Sequence, residues 1–118
     1  MSKATLNFEI EDREGIRVIH VSGPLDSATY DQCKEYLDPI ISQTNVRIVL
    51  DCQDLTYVNS RGVTLLMHYQ RTATMGFSFF GIAALRPHTL KSIELLGLSK
   101  LLKWYPTLEN AMEMAAAV

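Results

Sequence analysis

A serine that could carry chemistry lies within residues 46–62, where the sequence reads VRIVLDCQDLTYVNSRG. A β-branched run beginning at Val46 predicts a buried strand, and Asn59 and Ser60 open an amphipathic segment with helical spacing. We therefore expect the Ser60 hydroxyl in the first turn of a helix, where free backbone N–H groups and the positive end of the helix dipole favour anions. A serine in that position can cap the helix, act as a nucleophile or accept a phosphate.

The sequence around Ser60 lacks the motifs that a nucleophilic serine or a phosphate-binding loop requires. A hydrolase serine is usually exposed on a strained Gly-x-Ser-x-Gly turn, whereas Ser60 lies in Val-Asn-Ser-Arg-Gly. The sequence also contains no Walker A loop and no Gly-x-Gly-x-x-Gly loop that would cradle a phosphate. We predict that the chain is not an enzyme and carries no cofactor. A nucleotide-binding or weakly hydrolytic protein that uses Asp51 and Ser60 is the least favoured alternative.

Capping is the simplest interpretation of the same residues on local physics alone. Asn and Ser are leading N-cap residues, and a cap contributes about 1 kcal/mol through a bond to a free N–H group of the first turn. Asn59 and Ser60 both suit this role.

A resident metal is not predicted. The three histidines have no ligand spacing with one another or with the two cysteines. Asp51 and Asp54 could hold a divalent ion beside a strand end, but Asp54 is equally typical of a turn. We interpret the two cysteines, Cys33 and Cys52, as core thiols of a reduced, cytosolic protein.

The bulk composition is that of one globular domain spanning residues 1–118. The chain is 47% apolar and 20% charged, with a net charge of −2. Without a clustered basic excess or a polybasic run, we expect neither nucleic acid nor a membrane surface as a partner. The N-terminal segment has no apolar core of a signal peptide, and no apolar run is long enough to span a membrane. We therefore predict a cytoplasmic protein without direct membrane insertion.

Hydrophobic periodicity and turn residues predict the order β-β-α-β-α-β-α-β-α. The predicted strands are residues 5–10, 16–21, 47–52, 77–83 and 101–105, the last at a sheet edge. The predicted helices run from Asp26 or Ser27 to Ser42, over Ser60–Met75, over 89–96, and from a Thr107 cap toward the C-terminus. Pro39 should kink or shorten the first helix, and Gly76 should end the second in the left-handed region. An opening hairpin followed by alternating helices and strands predicts an α/β fold with a mixed sheet of four to five strands and about four helices.

Four segments in this order carry a family resemblance: Gly-Pro-Leu-Asp at 23–26, Ile-Val-Leu-Asp at 48–51, Leu-Thr-Tyr-Val-Asn-Ser-Arg-Gly-Val at 55–63, and Leu-Leu-Gly-Leu at 95–98. Together they resemble the STAS domain family, the fold of bacterial anti-sigma factor antagonists, over essentially the whole chain. The resemblance implies a STAS fold and a regulatory protein that acts in transcription signalling.

The resemblance also implies a phosphorylation switch at Ser60. Unphosphorylated, such a protein binds an anti-sigma factor that is also a GHKL-type serine kinase, and so frees a sigma factor. Phosphorylation of the serine releases the kinase, and a PP2C-type phosphatase resets the protein. A STAS adaptor whose serine is only a cap, working as a fixed subunit of a signalling or membrane-transport complex, is the alternative.

The site that the resemblance implies extends beyond the serine. Its switch and partner-binding residues are Asp26, Asp51, Asn59, Arg61, Gly62 and His68. The chain departs from the family pattern on both sides of Ser60, because Asn59 replaces an acidic residue and Arg61 replaces a small hydroxylated one.

Overall fold

A computed structural model describes residues 5–118, so the first four residues of the predicted domain lie outside the described part. Within that part, five strands and four helices follow one another in the predicted order. The strands are β1 (Asn7–Arg13), β2 (Ile16–Leu25), β3 (Arg47–Val58), β4 (Phe79–Ala83) and β5 (Trp104–Tyr105). The helices are α1 (Tyr30–Ile41), α2 (Ser60–Met75), α3 (Pro87–Leu95) and α4 (Leu108–Ala116).

The five strands form one mixed sheet in the order β1-β2-β3-β4-β5. β1 and β2 pair antiparallel, and every later pair is parallel. Glu14 and Gly15 form the tight connection of the hairpin with φ values of 54° and 83°. Two consecutive positive φ values are typical of the turn whose twist matches paired strands. The α/β fold with an N-terminal hairpin is therefore confirmed.

The sheet separates two apolar clusters. Alternation along β2 sends Ile19 and Val21 into the larger cluster, and Ile16 and Val18 into the smaller one. The larger cluster also takes its buried residues from α1, α2 and α3, whereas α4 covers the smaller one with Ala111 and Ala115. The sheet is thus packed on both faces.

β3 runs to Val58, six residues beyond the predicted end of the strand at residue 52. β4 accompanies β3 only as far as Asp51. Beyond that point, β2 continues to pair on one edge, while side chains from the start of α3 satisfy carbonyl groups on the other. Arg86 Nε donates to the Gln53 carbonyl (2.7 Å), and His88 Nε2 donates to the Thr56 carbonyl (3.0 Å). These distant donors keep a polar segment extended.

α1 begins at Tyr30 rather than at Asp26 or Ser27. The Asp26 carboxylate accepts the N–H groups of Ala28 (2.9 Å) and Thr29 (3.2 Å), which fixes a turn before the helix. Pro39 lies inside α1, and the helix ends two residues later at Ile41. A proline supplies no backbone donor, which agrees with an early end.

α2 has the predicted bounds, Ser60–Met75, but its end differs from the prediction. Gly76 has a φ of −92°, and Phe77 takes the left-handed conformation at 58°. The bounds of five other elements also differ from the prediction. β1 covers 7–13 instead of 5–10, β2 ends at 25 instead of 21, β4 begins at 79 instead of 77, α3 covers 87–95 instead of 89–96, and β5 covers 104–105 instead of 101–105.

Candidate functional site

The ends of β2 and β3 bring the starts of α1 and α2 together. Leu25 pairs with Val58, and the Asn59 N–H donates to the Leu25 carbonyl (3.1 Å). Residues 26–30 and 57–62 therefore form one surface at the carboxyl ends of two parallel strands, which we call the strand-end surface. Open α/β sheets commonly bind their ligands at such an end.

Asn59 is the residue that caps α2. Its backbone is extended (φ −88°, ψ 174°), its Oδ1 accepts from the Gly62 N–H (2.8 Å), and its carbonyl accepts from the Val63 N–H (3.0 Å). This is the geometry that an N-cap requires. Because Asn59 does the capping, Ser60 is free of that role.

Ser60 is the first residue of α2 and is exposed to solvent. Within residues 5–118, its hydroxyl makes no hydrogen bond to another residue, while its carbonyl accepts from Thr64 Oγ1 (3.0 Å). The backbone N–H groups of Ser60 and Arg61 precede the first N–H that Asn59 satisfies, and in the same described part neither has a protein acceptor. The hydroxyl therefore lies beside two N–H groups that an anion can bind.

Arg61 lies against the neighbouring helix. Its guanidinium carbon is 3.9 Å from the centroid of the Tyr30 ring. A cation over an aromatic face is attracted by the ring quadrupole. The contact joins the first turns of α1 and α2 and keeps a positive charge one residue from Ser60.

Gly62 allows α2 to pack closely on the strand ends. A Cβ at this position would lie 2.8 Å from Val58 Cγ2 and 2.9 Å from Leu25 Cγ, which is closer than real Cβ contacts allow. The glycine of the Val-Asn-Ser-Arg-Gly segment is thus a packing requirement of the site.

Asp26 and Thr29 organise the other half of the strand-end surface. Thr29 is buried, and its Oγ1 donates to the Pro24 carbonyl (2.8 Å) and accepts from the Asp26 N–H (3.0 Å). Thr29 is not among the residues predicted from the sequence, although an Asp-x-x-Thr spacing is a signal for such local bonds. Tyr30 is not among them either, and no local signal for it exists because its partner Arg61 lies on another element.

Comparison with known proteins places this geometry in a family. The model of the STAS domain matches residues 7–111, which includes both halves of the strand-end surface. The chain belongs to the STAS domain family. The recognised resemblance and the STAS fold are therefore confirmed.

Three known proteins are similar to this chain. Anti-sigma-F factor antagonist RsfB of Mycobacterium tuberculosis is 22% identical over 108 residues, covering 92% of this chain and 88% of that protein. The crystal structure of an anti-sigma factor antagonist from Mycobacterium paratuberculosis is 26% identical, with a TM-score of 0.80 and 94% of each chain covered. Part of the murine anion transporter Slc26a9 shares the fold alone, at 14% identity and a TM-score of 0.75, over 92% of this chain and 19% of that one.

The structure of this STAS domain does not bring Asp51 to Ser60. Asp51 lies in the middle of β3, seven residues before Val58, which corresponds to about 20 Å of extended chain. The residue is 8% exposed and lies on the side of the sheet that α4 covers, with Oδ2 2.7 Å from His20 Nδ1 on β2. The expectation that Asp51 ends a strand beside the serine is wrong.

His68 lies on the exposed face of α2 and is eight residues beyond Ser60. Eight helical residues span about 12 Å. His68 is therefore at the margin of the strand-end surface rather than within it.

Each of the two carboxylates that the sequence suggests for a divalent ion lies beside a nitrogen-bearing side chain of the chain itself. Asp51 pairs with His20, and Asp54 Oδ1 lies 3.7 Å from Arg86 Nη2. Across residues 5–118, no group of three or more His, Cys, Asp or Glu side chains is arranged to hold a metal ion.

Both cysteines of the STAS domain are buried thiols, as predicted. Burial raises the pKa of Cys33 to about 12, and burial raises the pKa of Cys52 still further. Tyr69 of α2 is buried nearby and donates to Asp38 Oδ1 (2.5 Å); burial and this bond raise its pKa. All three groups are neutral in the folded protein at physiological pH.

Proposed function

We propose that this STAS domain is an anti-sigma factor antagonist that switches partners by reversible phosphorylation of Ser60. The observation that carries the proposal is the Ser60 hydroxyl, which is exposed and unengaged at the start of α2 while Asn59 caps the helix. The anti-sigma factor antagonists named among its relatives support the class of partner. The protein is regulatory and performs no chemistry of its own.

The switch works through two partners. Unphosphorylated, the domain binds an anti-sigma factor that is also a GHKL-type serine kinase. Transfer of a phosphate to Ser60 releases the kinase, and a PP2C-type phosphatase restores the hydroxyl.

The free domain can accommodate the phosphate without refolding. A phosphoserine carries about −1.5 to −2 charges at pH 7. The N–H groups of Ser60 and Arg61 and the positive end of the α2 dipole favour an anion there. The Arg61 guanidinium is one residue away and can form a charge-assisted bond with phosphate oxygens.

At an interface, the same phosphate opposes binding. Tyr57, half exposed at 50%, lies three residues before Ser60 and supplies the aromatic anchor that protein interfaces favour. A partner that covers Tyr57 and Ser60 must strip water from the phosphate, and uncompensated desolvation of a charge costs several kcal/mol. The partner therefore dissociates because of the charge at Ser60, and the fold of the domain does not change.

A cytoplasmic setting fits this proposal, because kinase, phosphatase and sigma factor would meet there. None of the four helices within residues 5–118 combines the length and apolar character that crossing a membrane requires. The net charge of −2 gives no electrostatic reason to bind nucleic acid.

Phosphate mapping tests the proposal directly. The purified chain is incubated with a GHKL-type serine kinase from the same genome and ATP, and the modified residue is located by mass spectrometry. We expect one phosphate, on Ser60, and none in Ser60→Ala. Thr74→Ala is the matched control because it removes another exposed hydroxyl of α2, fourteen residues beyond Ser60, and it should be phosphorylated normally. Phosphate at another residue, or full labelling of Ser60→Ala, would contradict the proposal.

A further inference from the structure

A cleft of about 670 Å³ lies between the second half of α2 and the outer edge of β4. β5 pairs with β4 only at Ile82 and Ala83, so the described strands leave the start of β4 without a neighbour on that side. Gln70 of α2 holds the chain ahead of β5 in place. Its Nε2 donates to the Lys103 carbonyl (2.6 Å), and its Oε1 accepts from the Lys103 N–H (2.9 Å). This bridge keeps the cleft open where a longer β5 would close it.

The cleft has an apolar part. Met67 on α2, Phe79 and Phe80 on β4, and Leu101 ahead of β5 contribute to its lining. Leu101 is 65% exposed, although it is a large apolar side chain. An apolar body that covers these side chains would be stabilised by the removal of apolar surface from water.

The charged side chains of the cleft are positive. Arg71 and Lys103 line it, and no Asp or Glu does. Within residues 5–118, neither cation forms an ion pair, and α2 carries no carboxylate along its length. An arginine fork and a nearby ammonium group are suited to a carboxylate or a phosphate.

Phe77 adds an exposed aromatic ring to the cleft. It lines the cleft, has a φ of 58° and is 87% exposed. A left-handed conformation is unfavourable for an aromatic residue, and the exposed ring gains no burial in return. The conformation ends α2, because it lets the Ser78 N–H donate to the Ala73 carbonyl (2.7 Å) and the Phe77 N–H donate to the Thr74 carbonyl (3.2 Å). The ring itself is free to cover an apolar body.

We infer that this cleft binds a small amphipathic anion. The apolar body lies against Met67, Phe80 and Leu101, and a carboxylate or phosphate pairs with Arg71 and Lys103. The cavity volume is within the range of about 300–1,000 Å³ that ligand pockets occupy. A free fatty acid and an alkyl phosphate ester are the two sources of this chemistry.

The cleft is separate from the phosphorylation switch. The α2 residues that line it lie seven to fourteen residues beyond Ser60, about 10 to 21 Å along the helix. A binding experiment here needs neither kinase nor anti-sigma factor, so its outcome does not depend on the proposed switch.

The test is a titration followed by the fluorescence of Trp104, the single tryptophan, which follows Lys103 in the chain. The probes are dodecanoate, dodecyl phosphate, dodecanol and dodecyltrimethylammonium, each below the concentration at which it forms micelles. We expect saturable binding of the two anions at one per chain. The alcohol should bind about tenfold more weakly and the cation more weakly still, because a bond to a charged group is lost. The tighter of the two anions identifies the headgroup.

Variants locate the binding. Arg71→Gln and Lys103→Gln should each weaken anion binding about tenfold and leave dodecanol binding unchanged. Lys91→Gln is the matched control, because it removes an exposed cation of α3 that does not line the cleft, and it should bind like the original chain. Urea midpoints confirm that the variants fold. Equal binding of all four probes, anion binding that both cleft variants retain, or no saturable binding would overturn the inference.

Discussion

The guanidinium carbon of Arg61 lies 3.9 Å from the centroid of the Tyr30 ring, and this contact joins the two helices that flank the phosphorylation site. Arg61 thereby occupies a fixed position beside Ser60 before any phosphate arrives. The residue that departs from the family pattern after the serine thus has a structural role in this chain.

A double-mutant cycle should detect this contact. Tyr30→Leu and Arg61→Gln, singly and together, should show a coupling of about 0.5–1 kcal/mol in urea unfolding, because the cation–π attraction needs both partners. Tyr30→Leu combined with Arg71→Gln is the control. Arg71 is ten residues further along α2, about 15 Å away, so these two effects should add. Additivity of the first pair would contradict the contact.

Measurements of stability can separate the capping role of Asn59 from the phosphorylation role of Ser60. Asn59→Ala should lower the free energy of unfolding by about 1 kcal/mol, because the Gly62 N–H loses its acceptor. Asn59→Asp should retain the cap. Ser60→Ala should change stability by less than about 0.5 kcal/mol, as for a surface residue without partners. If Ser60→Ala proved as costly as Asn59→Ala, the serine would be a cap after all.

Gly62 in the first turn of α2 and Gly76 at the end of the helix should respond differently to alanine. Gly62→Ala should destabilise the domain by about 1–3 kcal/mol, since the new Cβ meets Val58 and Leu25. Gly76→Ala should be neutral or stabilising by up to about 1 kcal/mol, because its φ is negative and the nearest atom is 3.6 Å from the new Cβ. Thermal or urea unfolding measures both, and equal effects would show that α2 is not held by close packing at Gly62.

Alkaline pH should destabilise the domain. The pKa of Cys33 is about 12 in the folded state, and the pKa values of Cys52 and Tyr69 are also raised. An unfolded thiol ionises near pH 8.5, so unfolding releases protons above that pH and stability falls as the pH rises toward 12. Each group contributes a slope of up to about 1.4 kcal/mol per pH unit. Urea unfolding at pH 7 to 11 measures the slope, and a flat profile would contradict buried, neutral thiols.

Local sequence signals were sufficient for the elements whose ends are determined locally. Each end of α2, including the Asn59 cap, is determined by residues within one helical turn of that end. The continuation of β3 does not, because Arg86 and His88 stabilise it from 33 and 32 residues away. Read alone, the polar segment after Cys52 is typical of a turn.

The residues of the candidate site also differ in whether local sequence signals predict their positions. Ser60, Asn59 and Gly62 share one strand-to-helix connection, so sequence spacing could bring them together. The sequence places Asp51 wrongly because its position depends on where β3 ends. Sequence spacing does not indicate the contact between Arg61 and Tyr30, because this contact joins two helices. The cleft was not predicted, because it depends on the bridge from Gln70 to a residue 33 positions away.

The affinity of the anti-sigma factor for the two forms of this domain tests the central claim most directly. Titration calorimetry would compare the unphosphorylated domain with domain fully phosphorylated on Ser60, using a GHKL-type anti-sigma factor from the same genome. We predict that phosphorylation weakens binding at least a hundredfold, about 2.7 kcal/mol, while the urea midpoint of the free domain changes little. Equal affinity of the two forms would contradict the switch and indicate a fixed STAS adaptor.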